Sequence, residues 1–182
     1  MATVLPGCGG DGGSEEAGGL APRAWAESAC GSVREWLESG EAKSAEIQSG
    51  PPPETLSDAR AVMVEIFEHF AIVGREKLAD IRALRPLGAE RGAEFERDFI
   101  SLLENFRRAL EDLGERASRM SIADEKTFEA ELDALRADMD AEVQELSREA
   151  DALSDKYPDP AIQEPFGEVE DCRVVAAGAQ GG

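Results

Sequence analysis

Residues 95–120 read FERDFISLLENFRRALEDLGERASRM. The apolar side chains fall at Phe95, Phe99, Leu102, Phe106, Leu110, Leu113, Ala117 and Met120, in steps of 4, 3, 4, 4, 3, 4 and 3. Steps averaging near 3.6 put all eight on one face of a helix. Most positions between them are Glu, Asp, Arg or Ala, which suit water. The next segment repeats the same steps at Phe128, Leu132, Leu135, Met139, Val143, Leu146, Ala150 and Leu153.

Working outward, the rest of the body also reads as helix. Proline is absent between Glu54 and Ala83, and Pro86-Leu87-Gly88 ends that run. Its stripe is Val62, Ile66, Phe70, Val73, a break at Lys77, then Ile81 and Leu84. Ser121 and Asp124 have capping-box spacing ahead of the last long helix, which stops at Pro158 and Pro160. A shorter first helix starts at Pro22, carries Trp25, Ala29, Val33 and Trp36, and is expected to end near Ser39 at Gly40. Residues 41–53, with Gly50 and Pro51-Pro52-Pro53, read as an extended strap.

The expected fold is therefore all-α: an antiparallel up-down four-helix bundle over 22–157, with one short and three long helices. A long coiled-coil dimer is the alternative, and the turns at Pro86 and Ser121 argue for chain reversal instead. Residues 1–21 hold seven glycines and no basic residue, as a flexible acidic tether would. Residues 158–182 read as a Pro-containing acidic tail, disordered after about 175. With Phe106 and Met139 in mid-stripe, both are expected to be buried.

The 182 residues suit one domain of ordinary size. Asp and Glu total 39 against 19 Lys and Arg, a formal charge of -20, and the tails hold only a minority of it. An apolar fraction of 42% argues against a wholly disordered chain. The acidity argues against nucleic acid and against adhesion to anionic lipid through a basic patch.

Catalytic signatures are missing. There is no H-E-x-x-H and no G-x-S-x-G, and the glycines of 9–13 neither follow a strand nor precede Lys-Ser/Thr. The single histidine, His69, stands one turn after Glu65, the wrong spacing for a di-iron carboxylate motif and without a second copy. A surface Glu65–His69 contact is the plainer expectation. No catalysis, cofactor or metal is expected.

Three cysteines, Cys8, Cys30 and Cys172, have no zinc-site spacing. In an up-down bundle the first helix begins where the fourth ends. A tail folding back from 158 would then bring Cys172 to Cys30, forming a disulfide in an oxidising compartment. The other possibility is unbonded thiols in a cytosolic protein.

Leu5-Pro6-Gly7-Cys8 resembles the lipobox of bacterial lipoproteins, with Leu three before the Cys and Gly just before it. The stretch after it resembles the flexible tether that follows a lipidated Cys. Pro6 replaces the usual small residue, and residues 1–7 carry no basic or long apolar stretch, so the translation start is expected upstream. Cys30 and Trp36 in an early helix, long helices, and a late Cys172 together resemble small actinobacterial lipoproteins or secreted proteins of unknown function. That resemblance implies a helical ectodomain outside the membrane and no activity. It assigns lipidation to Cys8 and makes the lipid the only membrane contact. The expected role is binding or scaffolding of a protein or small ligand at the cell envelope. The alternative is a cytosolic acidic coiled-coil adaptor for a basic partner protein. A ligand groove, if present, is expected beneath the 41–53 strap, near Leu56, Val62 and Met63.

Overall fold

Pro22 opens the first helix, α1 (Pro22–Ser49), where its missing N–H costs nothing. A computed structural model describes residues 19–180, with side chains as far as Ala176. After α1 come α2 (Leu56–Arg82), α3 (Gly92–Ser118), α4 (Glu125–Lys156), α5 (Pro160–Glu168) and α6 (Glu170–Gln180). Among the described residues no strand forms. A single parallel bridge joins Leu20 to Leu87.

The all-α class holds, but the helix inventory differs from the expectation. The first helix is long, at 28 residues, and runs through Gly40. A glycine inside a helix ordinarily costs about 1 kcal/mol relative to alanine. Gly40 is kept for space, because a Cβ there would fall inside the Phe70 ring of α2. The expected 41–53 strap is therefore mostly helix, followed by a short turn through Pro51–Pro53, and no strap roofs a groove at Leu56. The expected flexible Pro-containing tail is also corrected. Asp159 caps α5 through the Ala161 N–H at 2.9 Å, and α6 continues to Gln180.

Ion pairs fix the helix directions. Lys77 meets Glu35 and Lys43 meets Glu65, so α1 and α2 are antiparallel. Arg75 meets Glu111 and Arg60 donates to the Met120 carbonyl, so α2 and α3 are antiparallel. Arg116 meets Asp138 and Lys156 meets Asp98, so α3 and α4 are antiparallel as well. The bundle does not close by packing α4 on α1. Those two share no substantial interface, and α6 packs against both of them.

This arrangement decides which stripes are buried. All eight residues of the α3 stripe are buried or half-buried. In α4 only Phe128 and Leu135 are buried, and Met139 is half-buried, because α4 leans on α3 and on a short α6. Phe106 is likewise only half-buried, against the Trp36 ring at 5.8 Å. Of the expected α2 stripe Ile81 is buried, while Val62, Ile66, Phe70, Val73 and Leu84 are half-buried. Phe67, Ala71, Gly74, Leu78 and Ile81 are buried, because α2 is sandwiched between α1 and α3. The caps also differ: Asp124, not Ser121, caps α4, while Thr55 and Asp58 form a full capping box on α2.

Gly74 gives a sign test of this packing. A Cβ at Gly74 would overlap the Trp36 indole, whereas a Cβ at Gly167 meets nothing within 4 Å. Gly167→Ala should stabilise by up to about 1 kcal/mol through helix propensity. Gly74→Ala should destabilise by about 1–3 kcal/mol through overpacking. Urea denaturation of both variants checks this; a stabilised Gly74→Ala protein would contradict the α1–α2 contact.

Candidate functional site

The chain enters the fold beside the α2–α3 turn. The Leu20 N–H donates to the Pro86 carbonyl at 2.7 Å, and the Gly88 N–H donates to the Leu20 carbonyl at 2.8 Å. Gly19 and Gly88 permit this approach, since a Cβ at Gly19 would lie 2.7 Å from the Gly88 Cα. Leu87 between the anchors is buried, and its N–H donates to Glu96 at 2.6 Å. Cys8 lies outside the described residues.

The same end holds an aromatic cluster. Trp25 meets Phe99 at 5.6 Å, Phe95 at 6.0 Å and Phe166 at 6.1 Å, and Phe95 meets the Tyr157 ring edge-on at 5.4 Å. Edge-to-face geometry suits the quadrupoles of such rings. The Trp25 Nε1–H is buried and has no hydrogen-bond partner among the described residues.

Beside this cluster Cys30 of α1 and Cys172 of α6 lie at disulfide distance, with sulfurs 2.06 Å apart and Cα atoms 5.0 Å apart. Ala26 and Val169 pack with the pair in a small core of its own, with Phe166 against it. Arg34 pairs with Asp171 at 2.9 Å and Arg23 with Glu168 at 2.9 Å, across the same seam. Of the residues singled out in the sequence, then, Cys30 and Cys172 are brought together. Glu65 and His69 are not: Glu65 engages Lys43 at 2.6 Å, and His69 Nε2 lies 3.1 Å from the Ser39 carbonyl. The seam residues Ile162, Phe166 and Val169 were missed. They step by 4 and 3 towards Cys172, a helical signal obscured by Pro158, Pro160 and Pro165.

A charged knot closes this end. The Tyr157 hydroxyl donates to Asp98 Oδ2 at 2.6 Å, and the Lys156 ammonium reaches the same oxygen at 2.6 Å. Arg91, in the left-handed region at φ 60°, lays its guanidinium over the Tyr157 ring at 4.6 Å. The Lys156 and Tyr157 hydrogen bonds hold the Asp98 carboxyl below its ordinary value. Burial, then Asp98, pushes the Tyr157 hydroxyl up. A lowered carboxyl stabilises the fold above its unfolded pKa, and that contribution fades as pH falls through the folded value. Wild type should therefore exceed Asp98→Asn in stability at pH 7, with the gap closing as pH drops below the usual 3.8. Tyr157 acts oppositely, losing its contribution above about pH 10. Denaturation midpoints from pH 2 to 7 check the acid limb; a constant gap would contradict the contact.

Two shallow surface depressions flank the knot and the seam. One, of about 290 Å³, is bounded by Glu90, Arg91, Tyr157 and Asp159, and the other, of about 270 Å³, by Pro22, Arg23, Pro160 and Glu164. Among the described residues no group of His, Cys, Asp or Glu is placed to hold a metal ion, and no helix is long and apolar enough to cross a membrane. No family model, no curated protein and no solved structure matches the chain.

Proposed function

We propose that this chain is a binding or scaffolding protein of the cell envelope, tethered to the outer face of a bacterial membrane by a lipid on Cys8. The observation that carries the reading is the pinning of Leu20 to Pro86 and Gly88 at the end that also holds Cys30 and Cys172. A cysteine pair at bonding distance is compatible with an oxidising compartment outside the cytoplasm. The pinned Leu20 fixes the point at which the chain enters the bundle, at the end that holds the α2–α3 turn. From Leu20 back to Cys8 the backbone can reach at most about 40 Å. The end bearing Pro51–Pro53 and Ile122 lies opposite Leu20, and Ile122 is 42% exposed there.

The test is fractionation of cells expressing the gene from its own locus. The wild-type protein should partition with membranes and into detergent, and Cys8→Ser should appear in soluble extracytoplasmic fractions. Cytosolic recovery of both would overturn the reading.

One observation favours the alternative, a cytosolic adaptor for a basic partner protein. α4 carries eleven acidic residues against four basic ones, and buries only Phe128 and Leu135. A basic helix would meet complementary charge along it. The same fractionation separates the two readings.

A further inference from the structure

α6 is an 11-residue helix in the gap between α1 and α4, and it packs against both. Helices shorter than about 12–15 residues are marginal on their own, so the fold must hold it in place. Among the described residues its apolar grip is Cys172 itself, the half-buried Val175, and Val169 at the α5–α6 junction. Val174 is 50% exposed. The Arg34–Asp171 pair is partly exposed and adds little. α5 is better seated: Ile162 is 1% exposed in the main core, and the Gln163 amide donates to the Tyr157 and Ser154 carbonyls at 2.8 and 3.0 Å. The Cys30 sulfur is the covalent fastening of α6 to α1, and Val169, with extended backbone between the two helices, is the natural hinge.

We propose that α6 is a redox-fastened clasp, which swings off at Val169 when the Cys30–Cys172 bond is reduced, uncovering Ala26 and the faces of α1 and α4 that it separates. A dithiol supplies the two electrons. Its thiolate attacks one protein sulfur and forms a mixed disulfide, releasing the other sulfur. Its second thiol then displaces the first protein sulfur. Cys30 and Cys172 each end as protonated thiols, and the dithiol ends as a disulfide. At 4% and 7% exposure the two cysteines are reached when the end of α6 frays. The clasp depends only on contacts within the fold, not on a lipid at Cys8.

Arg173 is the one basic residue of α6, so trypsin reports on it directly. In the oxidised protein, cleavage after Arg173 should be slow. In dithiothreitol, or in the Cys30→Ser/Cys172→Ser protein without reductant, it should rise at least tenfold, while Arg107 within α3 stays protected. Two results would overturn the proposal. One is Arg173 remaining as resistant after reduction as before. The other is Arg107 being cut at the same rate as Arg173, since the whole fold and not the clasp would then have opened.

Discussion

Trp36→Ala should destabilise the protein by about 3–5 kcal/mol, the range for removing a large aromatic from a packed core. Trp36 is 1% exposed and sits where three long helices meet. Its Nε1–H donates to the Phe70 carbonyl of α2 at 2.8 Å, its ring meets Phe106 of α3 at 5.8 Å, and Gly74 leaves room for its edge. Little can collapse into the space left, because α1 and α2 are already at glycine-limited approach. Trp36→Phe keeps part of the volume and should recover part of the loss, leaving the absent hydrogen bond, about 0.5–1.5 kcal/mol, and the missing ring. Phe106→Ala should cost less than Trp36→Ala, since Phe106 is half-buried. Urea denaturation of the three variants gives the ranking. A cost below about 1 kcal/mol for Trp36→Ala would mean the three helices do not meet there.

Removing the Cys30–Cys172 bond should lower global stability by up to about 5 kcal/mol. The chain-entropy argument gives that figure for a sequence separation of 142, because the bond forbids most conformations of the unfolded chain. The effect acts chiefly on the unfolded state, so Cys30→Ser, Cys172→Ser and the double variant should fall by similar amounts. Their circular dichroism should remain helical, with only the short α6 at stake. Guanidinium midpoints of the oxidised protein and the three variants measure this. Variants matching the oxidised protein would show that the two cysteines are not joined in solution.

The parts of this fold legible in sequence are the stripes of α3 and α1. The Phe95–Met120 stripe and the Trp25–Trp36 stripe each point at a single core, and both are buried or half-buried along their length. On α2 the buried face lies about one position from the expected stripe until Ile81, where the two coincide. Val62, Ile66, Phe70 and Val73 are only half-buried flanks of the face centred on Phe67, Ala71 and Gly74. Gly40 looked like a helix stop because local propensity carries no knowledge of the Phe70 ring that requires it. The C-terminal segment looked like coil because Pro158 and Pro160 end α4. Pro160 is also well suited to open the next helix, and Pro165 is tolerated within it. The approach of Cys172 to Cys30 was expected from helix directions together with a tail folding back, and the two cysteines lie at disulfide distance. The aromatic and ionic seam around them was not expected, because Trp25, Tyr157 and Phe166 are brought together only once α5 and α6 turn back.

The most direct test of the account is mass spectrometry of the protein isolated from its native cells under thiol-blocking conditions and digested with trypsin. The N-terminal peptide should begin at Cys8, end at Arg23 and carry a diacylglycerol on the cysteine. Cys30 and Cys172 should be joined in a single cross-linked pair of peptides. An unmodified peptide containing residues before Cys8, together with blocked thiols at Cys30 and Cys172, would contradict the account.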